Sequence, residues 1–293
     1  MTTPSIPAPS TPAPGLSTGG RDWWDDSADA YDQHTRRYDT HKRIAGMLTL
    51  LAPHPPAAVL DFGCGPGNST RLLRRAMPDA TISGLDSSPA MIKLARRNTS
   101  DPTIAYHCGD PTTGHPPAPL GRGCYDLVVA ANSLFHVADK PALLRGLLPL
   151  LAPDATIVFS LYDTVFQPNH VLRWPLHRQH DDLLMTMLIE RLRSHGHTIS
   201  ARDEDREILT ETTLTDLFTT AGFTLRCQAL LRLHRTAAER LSFFSIPATA
   251  AEVFPGIPTS QVQTAAASLL PVTRELPDQE RSVFAFTATR SDQ

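Results

Sequence analysis

The sequence predicts an α/β protein built around a seven-stranded, mostly parallel sheet with helices on both faces. From residue 57 to 163, short β-branched apolar runs alternate with segments of helical periodicity, the pattern of repeated strand-helix-strand units. A turn with glycines at 63, 65 and 67 joins the first strand to a helix. The alternating segment RSVFAFTATR at 281–290 predicts a last, antiparallel strand beside the sixth.

The strands and helix starts follow in chain order. Ser88 before Pro89 predicts one helix N-terminus, and Asp139 is predicted to cap another. TETTLTDLFTTAGF at 210–223 predicts a capped helix before the sixth strand. The first six strands are expected at 58–63, 81–86, 103–110, 125–132, 156–163 and 223–234.

Two segments interrupt the core pattern and predict helical lid insertions. One follows the fifth strand, with leucines and methionines at helical spacing from 183 to 192, and the other holds helical pieces broken by prolines. Residues 1–20 lack bulky apolar side chains, which predicts a disordered tail. The predicted organisation is tail 1–20, helical cover 21–56, core 57–163, lid insertion 164–209, core helix and strand 210–235, second lid insertion 236–278 and last core strand 279–293.

Composition excludes several classes of protein. A net charge of -3 offers no basic field for nucleic acid, and no apolar run of about 18 residues predicts a membrane span. The four cysteines have no paired spacing, so neither a disulfide scaffold nor a thiolate zinc site is expected, and a reducing cytoplasm fits best.

The glycine turn predicts a nucleotide or anion site. Backbone amides at a helix start attract negative charge, and missing Cβ atoms let a ligand touch the backbone. A dinucleotide fold requires Gly-x-Gly-x-x-Gly, but the sixth place counted from Gly63 is Asn68. The pattern present is Asp-x-Gly-x-Gly-x-Gly from Asp61, which disfavours a nicotinamide oxidoreductase.

LDFGCGPG, with GLDSSPAMIKLA behind it, resembles the class I S-adenosylmethionine (AdoMet) dependent methyltransferases. A Gly-Asp after the third strand and YDLVVAANSLFHVAD around the fourth extend the resemblance from 57 to about 163, and more loosely to the last helix and strands. It implies a Rossmann-like fold with AdoMet as cofactor. It also implies a small-molecule acceptor rather than nucleic acid, because AANSLF replaces the Asn/Asp-Pro-Pro-aromatic motif of the nucleic-acid enzymes.

The resemblance implies roles for residues at the amino-acid and ribose parts of AdoMet. The turn glycines would let the backbone approach the ligand, and Asp61 would hold the ammonium group directly or through water. Asp86 would accept from both ribose hydroxyls. Asn132 would line the methionine or substrate side, and Tyr31 of the helical cover would reach the carboxylate or sulfonium region.

At the adenine end, the resemblance implies that the Met91 thioether packs on the ring and that Asp110 accepts from its amine. Each of these residues has an ordinary alternative, such as core packing for Met91 or a turn for Asp110. The complete expected cofactor-binding set is Tyr31, Asp61, Gly63, Gly65, Gly67, Asp86, Ser87, Met91, Gly109, Asp110 and Asn132.

His136, in NSLFHVAD, is the candidate catalytic base, because imidazole titrates near neutral pH. A substrate or cofactor contact and a packed or capping histidine are the alternatives. Asp139 is expected to cap the next helix rather than to pair with this imidazole. No metal site is expected, since a catechol-type magnesium site would need a carboxylate where Asn132 stands.

Apolar and aromatic residues in the insertions predict a closed chamber for a small, partly hydrophobic acceptor with an oxygen, nitrogen or carbon nucleophile. The same residues could instead pack the lid or form a homodimer contact. The composition suggests specialised metabolism. A protein that binds AdoMet without transferring a methyl group is the alternative function.

Overall fold

The computed structural model describes residues 20–53, 55–113, 120–168, 183–199 and 208–290, with the side chains of 20–22 left out. The predicted tail, apart from Gly20, lies outside these ranges, as does residue range 169–182 of the first insertion. The helices are α1 (Gly20–Arg37), α2 (Thr40–Leu50), α3 (Asn68–Ala76), α4 (Pro89–Arg97), α5 (Lys140–Leu147), α6 (Leu183–Ser194), α7 (Glu211–Thr220), α8 (Ala237–Phe244), α9 (Pro247–Val253) and α10 (Thr259–Leu269). The strands are β1 (Ala58–Phe62), β2 (Thr81–Asp86), β3 (Ala105–Cys108), β4 (Tyr125–Ala130), β5 (Leu151–Tyr162), β6 (Phe166–Gln167), β7 (Leu209–Thr210), β8 (Phe223–Arg235) and β9 (Gln279–Arg290).

The main sheet has seven strands in the order β3-β2-β1-β4-β5-β9-β8. The first five strands pair in parallel, and β9 runs antiparallel to both β5 and β8. The predicted Rossmann-like fold and its antiparallel last strand are therefore confirmed. The order reverses between β1 and β4, which places a ligand-binding crevice at the carboxyl ends of these two strands.

The structure differs locally from the sequence prediction at β3, at the end of α5, at a short extra pair of strands, and at β5, which begins at Leu151 rather than at 156. β3 is shorter than expected, because Asp101 holds Thr103 in a turn before it and Asp110 holds Thr112 in a turn after it. The helix of α5 ends at Leu147 and continues as a 3₁₀ turn. The short parallel pair of β6 and β7 was not anticipated, since two residues are too few to show a period.

The central parallel strands of the sheet, such as β1 and β4, are buried on both faces, as parallel strands require. Val59 of β1 packs with Leu48 of α2 and Leu73 of α3, while the next residue, Leu60, joins the apolar cluster on the opposite face. In that second cluster Phe159 stacks on two other phenylalanine rings at 5.0 Å between centroids. The period-two alternation of a strand explains why neighbouring residues serve different helical layers.

The predicted helix caps are confirmed. The Ser88 hydroxyl accepts from the backbone N–H of Met91 at 3.1 Å, and the Asp139 carboxylate accepts from the N–H of Ala142 at 2.7 Å. Both bonds satisfy amides that the helix itself leaves without a partner. The caps fix where α4 and α5 begin, and both starting points border the crevice.

The two insertions pack into one structure, here called the lid, which consists of α6, α8, α9 and α10. Its core joins Leu188 of α6 with Leu241 of α8 and Val262 of α10. α1 runs between this lid and α4, contacting both. Across the described ranges, no helix has the length and apolar character needed to cross a membrane.

Candidate functional site

The glycine turn follows β1 and has all three of its odd-numbered glycines in the left-handed region, with φ of 68°, 52° and 82°. A Cβ at Gly63 would overlap the side chain of Ser133, which packs on the turn from the end of β4. Residues other than Gly rarely adopt a positive φ, and at Gly63 the Ser133 side chain also fills the space that a Cβ would need. Gly63 is thus required by the contact between two strand ends.

The other two glycines differ in what they face. A Cβ at Gly67 would lie 2.5 Å from the hydroxyl oxygen of Tyr106, so this glycine serves internal packing. A Cβ at Gly65 would meet only the Tyr31 ring, at 3.6 Å. Gly65 therefore presents bare backbone toward an opening beneath α1.

That opening is a cavity of about 490 Å³ at the carboxyl edge of the sheet. Most of the residues predicted for the site meet there, drawn from α1, the glycine turn and the ends of β2, β3 and β4. The predicted residues that line it are Tyr31, Gly63, Gly65, Asp86, Ser87, Met91, Gly109, Asp110, Asn132 and His136. Asp61 and Gly67 do not line it.

Asp86 stands at the end of β2 with each oxygen already fixed by a backbone amide. Oδ2 accepts from the N–H of Gly65 and Oδ1 from the N–H of Ser88, both at 2.9 Å. Burial raises the pKa of Asp86, and Asp25 adds to the rise. A carboxylate oxygen can accept more than one hydrogen bond, so Asp86 can still receive two hydroxyls from a ligand.

α1 is fastened over the cavity by polar contacts to the core. The Asp25 carboxylate accepts from the Ser88 hydroxyl and from the N–H of Ala90 at the start of α4. Farther along, the Asn68 side-chain amide donates to the Thr35 hydroxyl at 2.7 Å. These contacts hold the predicted cover helix against both the glycine turn and the Asp86 loop.

Aromatic rings form the roof of the cavity. Trp24 packs edge-on against Tyr31, with ring centroids 5.7 Å apart, and against His136 at 5.2 Å. Burial raises the pKa of Tyr31, with further increases from Tyr162 and Asp86, so its hydroxyl keeps its proton at neutral pH. Tyr31 can therefore donate to an oxygen of a bound ligand.

His136 ends a 3₁₀ turn, Leu134–His136, that follows β4. Its ring lies 4.0 Å from that of Phe135 and packs against Trp24, while the residue also borders the cavity. The ring is therefore packed, as one of the predicted alternatives has it, and the residue also lines the cavity.

Asp61 is fully buried behind the turn. Its Oδ2 accepts from the hydroxyls of Ser69, at 2.7 Å, and Thr70, at 2.6 Å, in the first turn of α3. Burial raises the pKa of Asp61 to about 6, against the opposing effect of the two hydroxyls. Through these hydrogen bonds Asp61 connects β1 to α3, which is a structural role.

Met91 is 2% exposed and packs among Ala28, Leu94 and the ring of Trp24. Asp110 accepts at Oδ1 from the N–H and the hydroxyl of Thr112, at 2.9 and 2.7 Å. Both residues therefore have the ordinary contacts that the sequence allowed as alternatives, and both still border the cavity.

Several cavity residues were missed by the sequence analysis. Trp23 and Trp24 could have been found, because a Trp-Trp pair in an otherwise polar helix segment is unusual. Ala248 and Glu252 could not, because they reach the cavity from α9 of the lid and no motif marks them. Among the described residues, no group of three or more His, Cys, Asp or Glu is placed to hold a metal ion.

Comparison with known sequences finds methyltransferases, in agreement with the resemblance seen in the sequence. Residues 33–228 match a family described as a methyltransferase domain. A trans-aconitate 2-methyltransferase from Methylobacterium radiotolerans is 38% identical over 140 residues, 47% of this chain and 51% of that protein. One from Klebsiella pneumoniae is 38% identical over 128 residues, 44% of this chain and 48% of that protein. The chain thus spans about half the length of the curated relatives it matches.

Solved structures share the fold at low sequence identity. The YcgJ protein from Bacillus subtilis superposes with a TM-score of 0.54 and 13% identity, covering 86% of this chain and 100% of that one. The [4+2]-cyclase SpnF superposes with a TM-score of 0.50 and 15% identity, covering 86% of this chain and 81% of that one. At these identities the likeness concerns the fold alone.

Proposed function

Because the chain belongs to the class I AdoMet-dependent methyltransferase family, we propose that it transfers a methyl group from AdoMet to an oxygen or nitrogen atom of a small, partly hydrophobic molecule. The main support for the proposal is the arrangement of residues around the cavity. The glycine turn, Asp86 and His136 border a single cavity at the point where the strand order reverses. This is where open α/β sheets bind their ligands.

The residues at the cavity fit AdoMet chemically. Asp86 would accept from the ribose hydroxyls, and Gly65 leaves room for the ligand to lie on the backbone. Met91 and Asp110 would hold the adenine. The cavity volume also falls in the range of about 300 to 1,000 Å³ that is usual for small-molecule sites.

In the mechanism we propose, AdoMet supplies a methyl group that is bound to a positively charged sulfur. The sulfur is a good leaving group, because it becomes a neutral thioether when the methyl group is transferred. The chain aligns the acceptor and excludes water by covering the cavity with the Trp24 ring of α1 and with the lid residues Ala248 and Glu252. Where the acceptor is a hydroxyl or an ammonium group, His136 removes its proton. A carboxylate acceptor would need no base.

The acceptor itself is open to experiment. The curated relatives are named for trans-aconitate, so a carboxylate oxygen is the first nucleophile to test. Their match leaves about half of each chain uncovered, and the acceptor contacts of the lid need not be shared. A role in specialised metabolism and a cytoplasmic location are also part of the proposal, supported by composition and cysteine usage, and apolar lid residues support a homodimer.

Binding and turnover test the proposal in two steps. Calorimetry should show binding of AdoMet and S-adenosylhomocysteine (AdoHcy) and none of NADH. Labelled AdoMet should then transfer its methyl group to trans-aconitate or to a member of a panel of small carboxylic acids, phenols and amines. NADH binding without AdoMet binding would overturn the assignment. AdoMet binding without transfer to any of them would favour the alternative function, cofactor binding without methylation.

A further inference from the structure

Tyr31 joins the cavity to a second set of polar side chains, His34, His41, Tyr162 and Arg235, here called the Arg235 group. The Tyr31 ring lies 5.4 Å from that of His41 in α2, and the His41 ring lies 5.9 Å from that of His34 in α1. Tyr162, at the end of β5, is close enough to Tyr31 to raise its pKa. Arg235, at the end of β8, is close enough to both histidines to lower theirs.

Three nitrogen atoms of the Arg235 group are buried without a hydrogen-bond partner in the described part of the chain. They are Nε2 of His34, Nδ1 of His41 and Nε of Arg235. His34 is only 1% exposed, and its other ring nitrogen lies 3.0 Å from the Ser242 hydroxyl of α8. Buried polar groups in folded proteins nearly always have partners. Three such atoms on neighbouring side chains therefore favour a binding site for a polar ligand.

A ligand can reach the Arg235 group from the cavity. Tyr31, His41 and Tyr162 each keep part of their surface accessible, although burial is the first cause of the pKa shift of all three. Side chains that are accessible yet deeply surrounded by protein line a crevice rather than an outer face. Because Tyr31 also lines the cavity, this crevice adjoins it.

The sheet places the Arg235 group beside the residues proposed for the cofactor. Gly63 follows β1 and Asn132 follows β4, and Tyr162 ends β5, the next strand along the carboxyl edge. β8 runs in the same direction as β5, because both are antiparallel to β9, and it continues past the level of Tyr162 to Arg235. With AdoMet across the ends of β3, β2, β1 and β4, a molecule bound over β5 and β8 would lie next to its methionine part.

The electrostatics of the Arg235 group favour an anion. Burial and the positive charge of Arg235 lower the pKa of His34 to about 4, and burial, His34 and Arg235 lower that of His41 to about 3. Both rings are therefore uncharged at neutral pH, and the potential around them is positive. A negatively charged group bound there would be attracted by Arg235.

Hydrogen-bond donors of the group remain available for such an anion. Nε of Arg235 lies 3.5 Å from the Glu239 carboxylate without forming a hydrogen bond, and that carboxylate accepts from the Thr40 hydroxyl at 2.6 Å. Burial raises the pKa of Tyr162, as it does that of Tyr31, so both hydroxyls keep their protons at neutral pH. One guanidinium and two hydroxyls can thus donate to the same ligand.

We propose that the Arg235 group holds a carboxylate of the acceptor, apart from the atom that is methylated. Nε of Arg235 and the hydroxyl of Tyr162 would donate to its oxygens. A carboxylate neutralised by a guanidinium is a weak nucleophile, so the reacting hydroxyl or amine is a different group, on the cavity side near His136. The acceptor class is a carboxylic acid with a separate hydroxyl or amino group. The inference rests on the proposed function, because it takes the cavity as the cofactor site.

Paired ligands test this acceptor class. 4-Hydroxybenzoate, 4-hydroxycinnamate and tyrosine each carry a carboxylate and a separate nucleophile, and the corresponding amides keep the nucleophile without the carboxylate. Calorimetry with AdoHcy-saturated protein should find that at least one acid binds and that its amide binds at least about tenfold more weakly. No binding of any of the acids, or equal binding of acid and amide, would overturn the inference.

Substitutions at the ion pair locate the bound carboxylate. Arg235→Gln combined with Glu239→Gln removes both charges, so that neither is left buried alone, and should weaken acid binding at least about tenfold. Glu239→Gln alone is the matched control, since it keeps the guanidinium and should bind the acid at least as tightly as wild type. AdoHcy affinity should stay within about twofold of wild type in both variants. A loss of AdoHcy affinity in the double variant would assign the group to the cofactor and overturn the inference.

Tyr162→Phe is a milder test, because it removes one hydroxyl and keeps the ring. It should weaken acid binding about three- to tenfold and leave amide binding unchanged. Tyr125→Phe, at the start of β4 and therefore at the opposite edge of the sheet, should change neither. Equal effects of the two tyrosine variants would overturn the inference, while the proposed function would stand if AdoHcy still binds. A wild-type protein that binds no AdoHcy would overturn the proposed function itself.

Discussion

The two oxygens of Asp61 have different surroundings. Oδ2 accepts two hydroxyls of α3, while Oδ1 is buried without a hydrogen-bond partner in the described structure. Burial therefore prevails and raises the pKa of this carboxyl from 3.8 to about 6. The charge that the sequence suggested for holding an ammonium group is costly to keep in the free protein.

This pKa predicts a pH dependence of stability. Between about pH 4 and pH 6 the native protein binds the Asp61 proton and the unfolded chain does not, so the free energy of unfolding falls as the pH rises. Asp61→Asn should reduce that fall by up to about 3 kcal/mol, the equivalent of about two pKa units. Urea unfolding at several pH values measures it. Asp154→Asn, at an exposed site, should leave the slope as in wild type, and an unchanged slope in Asp61→Asn would contradict the prediction.

His136 predicts a separation of rate from cofactor affinity. His136→Ala should lower the methyl-transfer rate at least about tenfold for a hydroxyl or amine acceptor, from the usual size of general-base effects, while AdoHcy affinity stays near wild type. His136→Phe keeps a ring against Trp24 and should lose the same rate. Stopped assays with labelled AdoMet measure it. If the Phe variant retained full rate, His136 would be a packing residue only.

Three of the site residues that the sequence identified stand at strand ends. Asp86, Asp110 and Asn132 each follow a strand that the apolar pattern locates, so chain position alone brings them to one edge. Gly67 and Asp61 belong to the same motif, yet neither lines the cavity, because Tyr106 fills the space beside Gly67 and α3 covers Asp61. A motif fixes the backbone path but not which side of it the ligand occupies.

At the scale of elements, α1 is the cover of the site. It carries Trp24 and Tyr31 over the cavity, and a ligand of AdoMet size needs a way in. The contact between Asp25 and the start of α4 joins this roof to the loop that holds Asp86. The same serine that caps α4 is thus also the anchor of the cover helix.

We expect Asp25→Asn to loosen α1. Asn accepts more weakly than a carboxylate, so local opening should become about 5 to 30 times more frequent, as for the loss of about 1 to 2 kcal/mol. Hydrogen exchange of backbone amides across residues 23–37 measures the opening. Asp29→Asn is the matched control, since the Asp29 side chain is 81% exposed and lies 3.8 Å from Arg97. Equal exchange in both variants would show that Asp25 does not anchor the helix.

At the scale of the whole molecule, the described residues form apolar clusters on both faces of the sheet and a separate cluster inside the lid. The sequence predicted the seven strands of the main sheet and both insertions, because the apolar residues of strands and of helical insertions recur at different spacings. It did not predict that the insertions share a core. The amphipathic pattern of α6 shows which face is buried, but its partners in α8 and α10 lie more than 40 residues farther along the chain.

Leu188→Ala tests the shared lid core. Leu188 is fully buried between the insertions, and its truncation should lower the free energy of unfolding by about 2 to 5 kcal/mol. Leu183→Ala, in the same helix at a site 54% exposed, should change it by less than about 0.5 kcal/mol. Chemical denaturation measures both variants. A small effect at Leu188 would mean that the insertions fold independently of each other.

β9 occupies an inner place in the sheet although it follows every other described element in the sequence. It separates β5 from β8 and pairs with both along most of its length. During synthesis, β8 has no neighbour to join until residues 279–290 have left the ribosome. Until then, the edges of β5 and β8 that later pair with β9 stay exposed in the nascent chain. We therefore expect chaperones that bind such edges to matter most at this stage of synthesis.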